Sequence, residues 1–159
     1  MNNDEIIFSD RAEAGVQLAE RLLALGLDQP IIYALPRGGV PVAVEVARAL
    51  DAPLDLILVR KIGAPGNPEV ALGAIVEGPD AQMILNEDVK RMSGADSDYI
   101  ARARAEQLAE LDRRRVTYLG DRPRLKATGR TVVVVDDGLA TGATLKAALA
   151  ALKRGGAAR

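Results

Sequence analysis

One stretch, Thr131–Thr144 (TVVVVDDGLATGAT), limits what this chain can fold into more than any other. Five residues of β type, Thr131–Val135, are apolar on both faces, as a strand buried within a parallel sheet must be. Asp136 and Asp137 follow at once, then Gly138-Leu139-Ala140-Thr141-Gly142-Ala143-Thr144, then a helical pattern. A glycine- and threonine-rich turn into a helix N-terminus gathers backbone amides and partial positive charge, a setting for a phosphate. Two carboxylates would repel that phosphate directly. They suit vicinal hydroxyl groups as acceptors, with Mg²⁺ nearby to offset charge. The stretch is therefore read as a cradle for a phosphorylated polyol.

Two earlier strand ends carry cations. Ile31–Leu35 is a short apolar run that ends in Pro36-Arg37-Gly38-Gly39, and Pro41 then opens a helix with Val42, Val46 and Ala49 on its buried stripe. Glycines admit an anion to the backbone, and Arg37 can fork onto phosphate oxygens. Leu54–Val59 is a second buried strand, ending in Arg60-Lys61. Open α/β sheets bind ligands at such carboxyl ends. Ile62–Leu72, with two prolines and two glycines, reads as a binding loop or lid.

The remaining chain reads as scaffold. Asp10–Gly26 is a helix capped by Ser9 or Asp10, with Ala14, Leu18, Leu22 and Leu25 on one face; Arg11 near its start could face a phosphate, which the pattern leaves open. Gly73–Glu77 and Gln82–Asn86 form a β-hairpin around Gly78-Pro79-Asp80, and Glu87–Met92 a short helical turn. A long helix from about Asp98 to Leu119 has a thin apolar stripe, so much of it faces solvent or an interface. From Arg113 to Arg130 there are seven basic residues and one acid, a solvated face in the main reading and an RNA patch in the minor one. Gly142–Arg154 closes as a helix with Leu145, Ala148, Leu149 and Leu152 inward.

Composition excludes several chemistries. There is no cysteine and no histidine, which removes disulfides, thiolate nucleophiles, the usual zinc ligands and Ser-His-Asp machinery. Carboxylates, Arg, Lys, backbone amides and an oxygen-bound Mg²⁺ remain. Four aromatics, Phe8, Tyr33, Tyr99 and Tyr118, are too few for a base-stacking platform. The acidic start MNNDEIIF lacks a signal-peptide pattern and no apolar run approaches a membrane span, so a cytoplasmic location is expected. Gly-x-Gly-x-x-Gly after a strand is absent, and no Gly-Lys-Ser/Thr closes a P-loop.

VVVVDDGLATGAT resembles the phosphoribosyl pyrophosphate signature of type I phosphoribosyltransferases, with the acidic pair, the glycine and both threonines in register. FSDRAEAGVQLA, LPRGGVPVAVEVA and VRKIGAPGNPEVALGAIVEG extend the resemblance to a bacterial, generally unassigned phosphoribosyltransferase-like subgroup. The resemblance implies a single α/β domain of three layers, α/β/α, with a mainly parallel twisted sheet. It implies a pyrophosphate loop at Arg37, Gly38 and Gly39, often with a strained peptide, and an approach of Arg60 and Lys61 to the pyrophosphate. Asp136 and Asp137 would bind the ribose hydroxyls and, directly or through substrate or water, Mg²⁺. Ala140, Thr141, Gly142, Ala143 and Thr144 would bind the 5-phosphate, with Gly138 and Leu139 also substrate-binding. Loop 62–72 would close over the substrate, and a nitrogenous base would displace pyrophosphate.

The sequence departs from the family in two places. Ala140 stands where 6-oxopurine enzymes carry an acid, which removes support for a hypoxanthine or guanine acceptor. Family members continue beyond this helix with further strands and a hood, whereas this chain stops at Arg159. The expectation is thus a C-terminally truncated form of lowered stability, whose strand 131–135 has an unprotected edge that invites pairing, as in a homodimer. The competing expectations are a regulator that senses a phosphoribosyl compound and contacts nucleic acid through 113–130, or an inactive fragment.

Overall fold

The computed structural model of the chain describes residues 8–78, 80–139 and 141–159. They divide into two compact units, each assembled from separated segments. Of the described residues, the first draws on 8–56, 125–139 and 156–159; the second on 57–78, 80–124 and 141–155.

The first unit is a parallel sheet with two helices. Its strands are β1 (Ile31–Ala34), β2 (Leu54–Leu56) and a third at Val132–Val135, in the order β2, β1, then the third strand. Helix α1 covers Arg11–Leu23 and α2 covers Gly39–Ala49. The four residues of β1 are all buried, as expected for the central strand of the three. Ile31 pairs with Val132 and Ala34 with Val135 in parallel register.

The helices show where periodicity misplaces a stripe. In α1 the buried positions are Gly15 and Ala19, one residue on from the expected Ala14 and Leu18, and Leu25 is exposed. Gly15 is the reason: a Cβ there would lie 2.6 Å from the Val42 carbonyl oxygen, so the missing side chain lets α1 approach α2. In α2, Val42, Ala43, Val46 and Ala47 are buried while Ala49 is exposed. Pro41 is the third residue of α2 rather than its first, still within the turn whose amides need no helical acceptor.

Asp55, buried in β2, accepts the Leu125 N–H on Oδ2 at 2.9 Å, and the Tyr33 hydroxyl donates to the Leu125 carbonyl at 2.9 Å. These bonds anchor the segment that re-enters the unit. The strand expected at 131–135 with an unprotected outer edge is observed at Val132–Val135. Among the described residues it is the outer strand, and Val132–Val134 are half-buried. Its edge is partly covered: the Val132 N–H donates to the Arg159 carbonyl at 2.8 Å, and the Ala158 N–H to the Arg130 carbonyl at 2.9 Å.

The second unit contains an antiparallel sheet and three helices. Its strands, with numbering continued along the chain, are β3 (Val59–Ala64), β4 (Asn67–Val76) and β5 (Gln82–Leu85), in the order β3-β4-β5. The 132–135 strand is accordingly β6. The helices are α3 (Glu87–Ser93), α4 (Ser97–Leu119) and α5 (Ala143–Arg154).

The expected continuous strand Leu54–Val59 is two strands in different sheets, broken at Ile57-Leu58. The expected loop Ile62–Leu72 is also corrected: most of it is the β3–β4 hairpin. Pro65-Gly66 makes its turn, with Gly66 at φ +71°, and Gly63 sits so close to Pro68 that a Cβ would be 2.6 Å from its Cα. The punctuating residues fold a bulged hairpin instead of preventing one. The β4–β5 pairing matches the expected hairpin, although Pro79 lies outside the described residues.

Helix α4 buries only Leu111 and Arg115. Arg115 ends on Glu77, Nη1 to Oε1 at 2.9 Å, with side-chain exposures of 7% and 5%. Helix α5 packs on β3 and β4 through Ala147, Ala148, Ala151 and Leu152, while Leu149, expected inward, is 46% exposed. No helix among the described residues is long and apolar enough to cross a membrane.

Candidate functional site

The first unit brings together two of the predicted groups. The Leu35 N–H donates to the Val135 carbonyl at 2.9 Å, which aligns the ends of β1 and β6. The turn after β1 and the acids after β6 therefore lie side by side. A Cβ on Gly39 would meet the Val135 carbonyl oxygen at 2.6 Å, and one on Gly38 would meet Asp137 Oδ2 at 2.0 Å. Only glycine at both positions permits this approach. The Pro36–Arg37 peptide is cis. Arg37 itself is exposed, at the start of the α2 N-terminus.

The two carboxylates differ. Asp136 is half-buried, and burial pushes its carboxyl above the usual range, with the neighbouring Asp137 charge adding to the shift. Its Oδ1 accepts the Asp137 N–H at 2.8 Å. Asp137 is held below the usual range, first by hydrogen bonding from Arg11. Arg11 places Nε 2.9 Å and Nη2 2.7 Å from Asp137 Oδ2. Residue spacing could not disclose this pair, because its members are 126 positions apart.

The second unit carries the other groups. Arg60 and Lys61 lie on β3; Arg60 Nε donates to Gln107 Oε1 on α4 at 2.8 Å, and Lys61 Nζ donates to the Glu69 carbonyl at 3.3 Å. Thr141–Thr144 lead into α5. Gly142 takes φ +72°, and Thr141 Oγ1 accepts the Ala143 N–H at 3.3 Å, which leaves the hydroxyls of Thr141 and Thr144 on exposed residues. In the first unit, Gly138 and Leu139 are exposed, and a Cβ on Gly138 would meet nothing within 4 Å. Ala140 lies outside the described residues.

No group of three or more acidic residues that could hold a metal occurs among the described residues. Asp136 and Asp137 do offer hard carboxylate oxygens, the donors Mg²⁺ takes when substrate and water complete its shell.

Several cations of the basic run meet acceptors within the chain. Arg113 and Arg114 both pair with Glu110, Arg115 and Arg124 with Glu77, and Arg130 donates to the Gln29 carbonyl. Five of its cations are thus committed to internal acceptors.

The family model for the phosphoribosyl transferase domain matches residues 10–159. Two Mycobacterium tuberculosis proteins, from strains CDC 1551 / Oshkosh and ATCC 25618 / H37Rv, both named "Putative phosphoribosyl transferase", are 48% identical over 151 residues. That match covers 95% of this chain and 34% of theirs, so the chain spans about a third of the length of these relatives. The crystal structure of TT1426 from Thermus thermophilus is 49% identical, with a TM-score of 0.82 over 97% of this chain and 72% of that one.

Proposed function

The chain belongs to the phosphoribosyl transferase domain family, and from that premise we propose that it binds phosphoribosyl pyrophosphate with Mg²⁺ and transfers the phosphoribosyl group to a nitrogenous base. The observation that supports this most is the close approach of Gly38 and Gly39 to Val135 and Asp137. It sets an Arg-Gly-Gly anion turn beside an acidic pair, the two chemistries that one phosphorylated, hydroxyl-bearing substrate needs.

In this reading Asp136 and Asp137 accept hydrogen bonds from the ribose 2- and 3-hydroxyls. The amides of Gly38 and Gly39 and the Arg37 guanidinium take the pyrophosphate, and the family pattern assigns Arg60 and Lys61 to it as well. The amides and hydroxyls of Ala140–Thr144 take the 5-phosphate. The bond from C1 to the pyrophosphate oxygen breaks with its electron pair leaving on pyrophosphate, while a ring nitrogen of the base supplies the pair that re-forms a bond to C1. Cationic side chains and oriented amides stabilise the leaving charge, which is where such sites gain most of their rate. Mg²⁺, held by Asp136, Asp137 and substrate oxygens, would neutralise part of the same charge.

Titration with phosphoribosyl pyrophosphate and Mg²⁺, followed by turnover with a panel of bases, tests the proposal. Binding that Asp137→Asn abolishes, with pyrophosphate released for at least one base, is the expected result. Ala140 predicts that hypoxanthine and guanine are not among the accepted bases. Absence of binding in the unaltered protein would overturn the reading.

A further inference from the structure

Arg11 opens α1, and its backbone is fixed from two directions. Asp10 Oδ1 accepts the Glu13 N–H at 2.8 Å, while Glu13 Oε2 accepts the Ser9 N–H at 2.6 Å and the Ser9 hydroxyl at 2.5 Å. This reciprocal cap sets the first turn. One turn on, Gly15 seats α1 against the Val42 carbonyl of α2, the helix whose N-terminal Gly39 abuts Val135. The start of α1 is therefore tied to the same backbone that carries the acidic pair.

Both guanidinium contacts fall on a single oxygen, Oδ2 of Asp137. Gly38 flanks that carboxylate so closely that no side chain could intervene. A carboxylate has about four acceptor positions over its two oxygens. Arg11 engages Oδ2 by a hydrogen bond from Nε and an ion-pair contact from Nη2, and the Asp136 side chain also lies within hydrogen-bonding reach of the carboxylate. A hold on one oxygen fixes the side chain while leaving the carboxylate further acceptor positions. We propose that Arg11 is a positioning residue of the phosphoribosyl site, holding Asp137 by Oδ2 so that Oδ1 is the acceptor for a ribose hydroxyl. The inference rests on the reading of Asp137 as a hydroxyl acceptor.

Without Arg11 the Asp137 side chain regains rotamer freedom beside the Asp136 charge, and binding must restrict it again. The cost falls on ligands that carry ribose. Arg11 acts through Asp137, so its removal leaves a ligand without ribose unaffected.

Calorimetric titration without added Mg²⁺, which would itself link pyrophosphate to Asp137, tests this with three probes: phosphoribosyl pyrophosphate, ribose 5-phosphate and inorganic pyrophosphate. Arg11→Ala is expected to weaken both ribose compounds alike, by about fivefold, the size of a partly exposed charge pair. Inorganic pyrophosphate should bind as before, and Arg11→Lys should recover part of the loss. The thermal midpoint of Arg11→Ala should stay within about 2 °C of the unaltered protein, which separates positioning from folding. Unchanged or tighter ribose binding, or an equal loss for pyrophosphate, overturns the inference. Should the unaltered protein bind neither ribose compound, the functional reading fails first and takes this inference with it.

Discussion

Arg115 on α4 and Glu77 at the end of β4 form an ion pair at 2.9 Å with both side chains almost completely removed from solvent. Glu77 also accepts the Leu58 N–H on Oε1 and pairs with Arg124 through Oε2 at 3.0 Å. A polar helix that buries only two residues is thus fastened to its sheet by a charged contact.

Removing Glu77 takes an ion-pair partner from both arginines and the side-chain acceptor from the Leu58 N–H. Glu77→Ala should lower the unfolding free energy by about 1–3 kcal/mol, the cost of buried polar groups that lose one partner. Arg124→Ala, on the more exposed side, should lower it by less than about 1 kcal/mol. Urea denaturation of the two variants provides the comparison, and equal losses would contradict the assignment of Arg115 as the dominant partner.

Glycine is required at the anion turn for two different reasons. A Cβ at 39 would press on the Val135 backbone carbonyl, so Gly39→Ala should cost about 1–3 kcal/mol of stability. At 38 it would press on the Asp137 carboxylate, a movable group. Gly38→Ala should therefore displace Asp137 and abolish binding of ribose 5-phosphate with a smaller loss of stability. Paired thermal melts and titrations distinguish the two variants.

Acid should loosen α4. Arg113 and then Arg114 hold the Glu110 carboxyl down to about 2, below its ordinary value of 4.5. For a depressed carboxylate, the stabilisation is complete above the unfolded value and fades as pH falls through the folded one. Between about pH 4.5 and 2 the protein should lose this contribution, whereas Glu110→Gln lacks it throughout. The gap between their melting temperatures should narrow steadily over that window; a constant gap would refute the role given to Glu110.

The β3–β4 hairpin has a latch of its own in Tyr99, whose hydroxyl donates to the Gly63 carbonyl at 2.8 Å. Tyr99→Phe should cost about 1 kcal/mol. It should also raise amide hydrogen exchange around Gly63–Asn67 more than elsewhere, and uniform exchange rates would argue against a local latch.

How much of this was legible in the sequence follows from the range of each interaction. The strand at 31–34, the Arg37–Gly39 turn and the acidic pair are written in consecutive residues, and the structure gives each the expected local form. Helix faces drifted by a residue or two, because Gly15 and the small alanines of α5 allow contacts that a count of large apolar residues overlooks. The reading of 62–72 as a loop took Pro65 and Gly66 as breakers, while a two-residue turn needs just such residues. Arg11 with Asp137 and Arg115 with Glu77 were out of reach, since nothing local marks which of many arginines faces which acid.

The parallel pairing of β1 with β6 has a consequence during synthesis. Ile31 meets Val132, so β1 leaves the ribosome about a hundred residues before its second neighbour exists. At ordinary elongation rates that interval is roughly 5 to 20 seconds. Throughout it, one side of an all-apolar strand has β2 for company and the other has none. The nascent chain must pass this stage without capture by another chain's strand, and its yield in a cell will depend on chaperone supply and translation speed as much as on the finished fold.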